Sequence, residues 1–312
     1  MHPIYSRVLF SPMQPELPPT IDPKAALRWA SRLLPAGAWL HEEVARRMEE
    51  RLELMTLQPR SWVHWEPLRS GLLAHGLLNR RYPKAECFML LEHADHAQAA
   101  MKNIANPWWE LAHWRGPANR FEEPAAPVQM LWSNMALHMV AAPQTLMQRW
   151  HQLLETDGFL MFSCLGPDSL RELRQVYSSL GWAPPSHEFT DMHDWGDMLV
   201  QAGFADPVMD VERITLTYST PDALLKELRG LGRNLHVHRF AGLRTRGWKK
   251  QLETALQTQL ADAAFGGRLS LSFEVIYGHA FKPAPRMAVQ AQSRVTLEDF
   301  RAALKMGRNT ES

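Results

Sequence analysis

Only two cysteines, Cys87 and Cys164, occur in 312 residues, which excludes a disulfide framework or a thiolate zinc site and reads as two buried, reduced thiols. No run reaches the roughly 18 apolar residues of a membrane-crossing helix, and the first residues lack a basic-then-apolar signal pattern. A soluble cytoplasmic protein is the expectation. Gly-x-Ser-x-Gly, phosphate-loop and zinc signatures are also missing. What is present is apolar bulk: 46% hydrophobic against 21% charged residues, enough for one large core, or one core with a smaller lid.

The net charge of +1 hides an uneven distribution. Between Lys226 and Lys250 stand Lys226, Arg229, Arg233, Arg239, Arg244, Arg246, Lys249 and Lys250 against the one acid Glu227, so this stretch carries +7 and the rest −6. Two readings stand: a solvated helix face, or a docking surface for an acidic or phosphate-bearing partner. Only Phe240 and Trp248 interleave with these charges, which ranks nucleic acid well below a protein partner.

Along the chain, five prolines in residues 1–22 make 1–24 an irregular arm. Val44, Met48, Leu52 and Met55 recur at helical spacing and predict a helix over 41–55. Strands are predicted at Trp62–Trp65, Cys87–Leu91, Val128–Ser133 and Phe159–Cys164, with helices at 72–82, through Leu146–Leu154 to Gly158, and at 170–180. Such alternation implies parallel βαβ units. The stretch 103–127 is loop-rich. Further on come a helix ended by Gly203, a strand over 211–218, and a helix opened by Thr220 and Pro221 and stopped by Gly232. A polar helix over 243–262, a strand over 269–281 and a short helix from Thr296 complete the reading.

Three blocks carry a more specific signal: Met130-Leu-Trp-Ser-Asn-Met-Ala-Leu-His138, the run from Gly158 to Arg174 containing Gly166-Pro-Asp168, and Phe189-Thr-Asp-Met-His-Asp-Trp195. They resemble the malonyl-acyl-carrier-protein O-methyltransferase family of biotin synthesis. Trp39–Leu52, Thr220–Gly232 and Phe273–Ala280 are similar to its flanking segments, in family order across residues 25–282. The resemblance implies an α/β, Rossmann-like class I methyltransferase fold: a mostly parallel twisted sheet flanked by helices over 25–285, with helical additions at both ends. Residues 220–265 would form a helical basic insertion or lid, and 286–312 a helix and tail. It also implies methyl transfer from S-adenosylmethionine to the carboxylate of a malonyl thioester on an acyl carrier protein, without a membrane or nucleic acid. Substrate would be held near Ser133, Asn134, Asp168 and Arg229, and the carrier docked on Arg233, Arg244, Arg246, Lys249 and Lys250.

The cofactor turn departs from the family. After the first strand an acid and a Gly-x-Gly-x-Gly turn should let the backbone approach the cofactor. By register His64 replaces the acid, Glu66, Leu68 and Ser70 replace the glycines, and Gly71 follows. Leu91 stands where the ribose acid belongs, with Glu92 next to it, and the stretch 119–127 lacks the family's aspartate near the adenine. Either the cofactor binds a remodelled pocket, with His64, Glu66, Gly71 and Glu92 around it and Trp65, Trp108 or Trp109 stacking on the adenine, or the fold has lost it and acts as a binding or scaffold subunit. The pairs His93/His96 and His236/His238 lack a third metal ligand nearby. The first pair reads as solvated loop, the second as part of the basic surface.

Overall fold

Bulk alternates along β1 (Ser61–Trp65), and this sets the two faces of the sheet. Trp62 joins one apolar cluster while Val63 and Trp65 join the other. The computed structural model describes residues 21–33, 38–104 and 119–285. The further strands are β2 (Glu86–Leu90), β3 (Asn119–Arg120), β4 (Val128–Ser133), β5 (Leu154–Leu165), β6 (Ala205–Tyr218), β7 (Ala261–Asp262) and β8 (Arg268–Phe281). They form one sheet in the order β3-β2-β1-β4-β5-β8-β6, with β7 paired to β8. The first five are parallel; β8 runs antiparallel to β5, β6 and β7. Parallel strands need crossovers that cover both faces, so β1, β2 and β4 are buried almost throughout.

Helices α1 (Pro23–Ala30), α2 (Trp39–Arg51), α3 (Pro67–Ser70), α4 (Leu73–Arg81), α5 (Ala94–Ile104), α6 (Pro143–Leu153), α7 (Arg171–Ser179), α8 (Met192–Gln201), α9 (Pro221–Leu231) and α10 (Arg246–Gln259) supply the cover. Val44, Leu78, Leu173, Leu224 and Leu252 pack with Trp62 and Trp132 on one face. Met147, Trp150, Trp195 and Leu199 pack on the other. The predicted start of α9 is observed: Thr220 Oγ1 accepts from the Ala223 amide at 3.2 Å, with Pro221 at the first helical position. None of the described helices is long and apolar enough to cross a membrane.

Four sequence readings change. The N-terminal arm is structured by residue 21: Ile21 bridges His236, and Asp22 caps α1 by accepting from Lys24 N at 2.9 Å. The 103–127 stretch begins inside a helix, α5, which turns His96 into the interior instead of leaving it as solvated loop. His236 is buried as well, and burial lowers its proton affinity, so it adds no charge to the basic surface. Helix α6 stops at Leu153, before Gly158, because Leu154 already pairs with Val128, and Asp157 and Gly158 exchange backbone hydrogen bonds with Lys282. Trp108, Trp109, Trp114 and the helix read from Thr296 lie outside the described residues.

Candidate active site

The chain leaves β1 through a turn packed from within. Glu66 takes a left-handed conformation (φ 48°, ψ 53°), rare for a residue with a Cβ, and Pro67 then starts α3. His64 lies within hydrogen-bonding distance of Ser70 Oγ, at 3.0 Å. Asn134 Nδ2 donates to the carbonyls of His41, at 2.8 Å, and Ser70, while Asn134 Oδ1 accepts from Ser163 Oγ at 2.6 Å. The amides that open α4 are taken: Leu72 N and Leu73 N each donate to the Glu42 carboxylate at 3.0 Å. Gly71 (φ 100°) sits so close that an added Cβ would meet Glu42 Oε2 at 2.5 Å. A helix N-terminus suits an anion, and here that anion is the protein's own Glu42.

Beside this turn, over the C-terminal ends of β1, β2 and β4, lies a cavity of about 440 Å³. Trp29 and Leu27 of α1, Trp65, Glu92, Met135 and Leu146 line it, together with His41, Glu66 and Arg69. Glu66 Oε1 accepts from Glu92 N at 2.7 Å, whereas Oε2 is buried without a hydrogen-bond partner, 3.9 Å from both Arg69 Nε and His96 Nδ1. Arg69 Nη2 donates to the carbonyls of Trp29 at 2.7 Å and Ala30 at 2.9 Å, leaving Nη1 buried and unpartnered. His41 Nδ1–H donates to the Arg69 carbonyl at 2.7 Å, so its Nε2, also buried and unpartnered, is a lone pair. Burial brings the His41 pKa down to about 4 and keeps the ring neutral. Helix α1 is held here because the Trp29 ring faces both Arg69, at 4.8 Å, and Arg233, at 5.6 Å, while Asp22 pairs with Arg239 at 2.7 Å.

A second cavity, about 280 Å³, opens between α7, α9 and α10. Its walls are apolar (Leu170, Leu173, Phe189, Leu225, Leu252, Phe273), with Arg229, Arg233 and Lys249 also lining it. Ser186 Oγ and His187 Nδ1 there are buried and unpartnered, and burial holds the His187 pKa near 4. Met139 and Leu231 line both cavities, which therefore adjoin across these two side chains.

The chain is 36% identical over 273 residues to a malonyl-[acyl-carrier protein] O-methyltransferase from Laribacter hongkongensis, covering 84% of this chain and 89% of that one. It is likewise 36% identical over 280 residues to the protein of the same name from Gallionella capsiferriformans, covering 86% and 93%. The chain belongs to this family. No family model matches it. A crystal structure of a methyltransferase from Bacillus halodurans, 13% identical, superposes with a TM-score of 0.50 over 77% of this chain and all of that one, which shows the shared fold.

Within this malonyl-carrier O-methyltransferase family framework the residues singled out from sequence divide. Glu66 and Glu92 line the first cavity, whereas His64 and Gly71 are sealed in the turn. Arg229 lines the second cavity. Ser133 and Asn134 are fully buried and line neither, Asn134 tying α2, α3 and β5 together. Asp168 is a surface acid paired with Arg213 at 2.7 Å. Of the basic residues, Arg233 and Lys249 line the second cavity. Arg244 is half-buried, its guanidinium 3.6 Å from the Phe240 ring and 4.6 Å from that of Trp248. Arg246 and Lys250 are exposed on α10 without an ion pair among the described residues. Sequence reasoning missed His41 and Arg69. An Arg beside the altered glycine positions was a visible signal for one; nothing in the periodicity marked the other.

Proposed function

We propose that this chain transfers a methyl group from S-adenosylmethionine to the free carboxylate of a malonyl thioester on an acyl carrier protein, a step of biotin synthesis. The observation that carries this reading is the pair of adjoining cavities at the C-terminal edge of the sheet, both with buried polar groups lacking partners and the second with basic residues at its walls. Ligands of open α/β sheets bind at that edge. The first cavity suits the cofactor: Trp65 and Leu146 offer an apolar wall to the adenine, and the Glu92 carboxylate, just past β2, would take the ribose hydroxyls. When bound, S-adenosylmethionine supplies an already activated sulfonium methyl.

The protein then has to align and dry the reacting groups, since a carboxylate needs no base to act as nucleophile. Met139 and Leu231 form the apolar partition where donor and acceptor would face each other. Ser186 Oγ–H and Arg233 are donors that the second cavity offers a carboxylate. Arg229 and Lys249 would meet the phosphate of the carrier's arm, and Arg246 and Lys250 its acidic surface.

The turn filled by Glu42 favours a second reading, a non-catalytic relative that captures the carrier protein without the cofactor. Calorimetric titration separates the two. Micromolar binding of S-adenosylmethionine, followed by methyl transfer to malonyl-carrier protein, is expected; no binding at millimolar ligand overturns the enzyme reading.

A further inference from the structure

We infer that Arg69, Glu66 and His41 form a side-chain clamp for the α-amino-acid end of the cofactor, doing what bare backbone does in a glycine turn. The clamp rests on the cofactor reading of the first cavity. Each of the three residues lines that cavity, and each carries one buried polar atom without a hydrogen-bond partner: Arg69 Nη1, Glu66 Oε2 and His41 Nε2. A buried polar group without a partner is costly, and here three of them face one cavity. Their signs are specific. One guanidinium N–H and two acceptors are the complement of a zwitterion: the α-carboxylate on Arg69, the α-ammonium on Glu66 and His41.

Three details support this assignment. The α4 amides that could hold a ligand carboxylate are occupied by Glu42, so the anion must be received elsewhere. Glu66 keeps a left-handed backbone although it has a side chain, a strained conformation of a kind found at ligand clamps. The Arg69 carbonyl takes the His41 Nδ1–H, so one residue of the clamp sets the tautomer that another presents. Arg149 lines the same cavity but lies over Trp65 and toward Glu123, away from this cluster.

The test is calorimetry on the full chain with S-adenosylhomocysteine and with 5′-methylthioadenosine, which lacks the amino-acid end. The unaltered protein should bind the first at least roughly tenfold more tightly. Glu66→Gln and, separately, Arg69→Lys should remove most of that advantage while leaving methylthioadenosine affinity unchanged. Retained methylthioadenosine binding also shows that each variant is folded, which matters because Arg69 holds α1. Equal affinity of the unaltered protein for both ligands overturns the clamp alone. Equal weakening of both ligands in a folded variant, checked by its melting curve, does the same. Failure of S-adenosylmethionine and both ligands to bind overturns the cofactor reading, and the clamp with it.

Discussion

The two cavities that meet at Met139 and Leu231 are both largely apolar and differ in the polar groups set into them. The first has its buried acid, guanidinium and imidazole fixed by hydrogen bonds to backbone, and a helix, α1, over it. In the second, aliphatic and aromatic walls carry basic residues, two of which, Arg229 and Lys249, are exposed. Rigid polar groups select a small ligand by the position of its charges, whereas an apolar groove with charge at its surface accepts a flexible arm and steers what it is attached to. On the proposed function, selectivity would fall to one side and capture to the other, and perturbations should separate them.

The largest effect expected is on both sides at once. His41, His75 and His187 have pKa values lowered by burial to about 4, and His64 and His138 are pushed well below the usual histidine value. Each is neutral in the fold and gains a proton only on unfolding. Stability is therefore whole above about pH 6.5 and falls as the pH drops toward 4, by roughly 1 kcal/mol per pH unit for each such group. Urea midpoints between pH 7.5 and 5 should drop steeply; a flat profile would mean that these imidazoles titrate normally.

Asn134→Ala should act next, and only on stability. It removes both donations, to His41 O and Ser70 O, and the acceptor of Ser163 Oγ, at a cost of about 3 kcal/mol, read as a lowered urea midpoint. If ligand affinity changed while the midpoint stayed, Asn134 would belong to the site and not to its frame.

Leu231→Trp fills the shared partition. Methyl transfer should fall about 100-fold while S-adenosylmethionine still binds, because alignment across the partition is lost and the first cavity is only narrowed at its edge. Equal loss of binding and turnover would show that the cavities do not divide the work.

The smallest expected effect is on capture. Lys250→Glu with Arg246→Glu should weaken carrier-protein binding about tenfold, more at low salt, and leave cofactor affinity untouched. Arg244→Glu, by contrast, should lower the melting temperature, since its guanidinium is packed against Phe240 and Trp248.

Much of the scaffold was legible before the structure. Trp62–Trp65, Val128–Ser133 and the Thr220–Pro221 helix start are local patterns, decided by alternation, burial and capping within a few residues, and they lie where they were placed. Helix α5 was hidden because the residues it turns inward, His96 and Ala100, are not the large apolar ones that mark a helical stripe. The site was half legible. Glu66 stands where a glycine was expected and Glu92 one residue past the expected acid, and both line the first cavity, while Ser133 and Asn134, adjacent in sequence to a cavity wall, turned out to face the core.

By itself the sequence determined most of the strand and helix order, the family, and the loss of bare glycine backbone after β1, since each follows from residue type at a position. Only the tertiary structure decided what replaced that backbone. Glu42 reaches the α4 amides from 30 residues away, and Arg69, Glu66 and His41 converge on one cavity from two segments. Hydrogen bonds left unmade in a buried place are a property of three-dimensional neighbours, and no spacing along the chain records them.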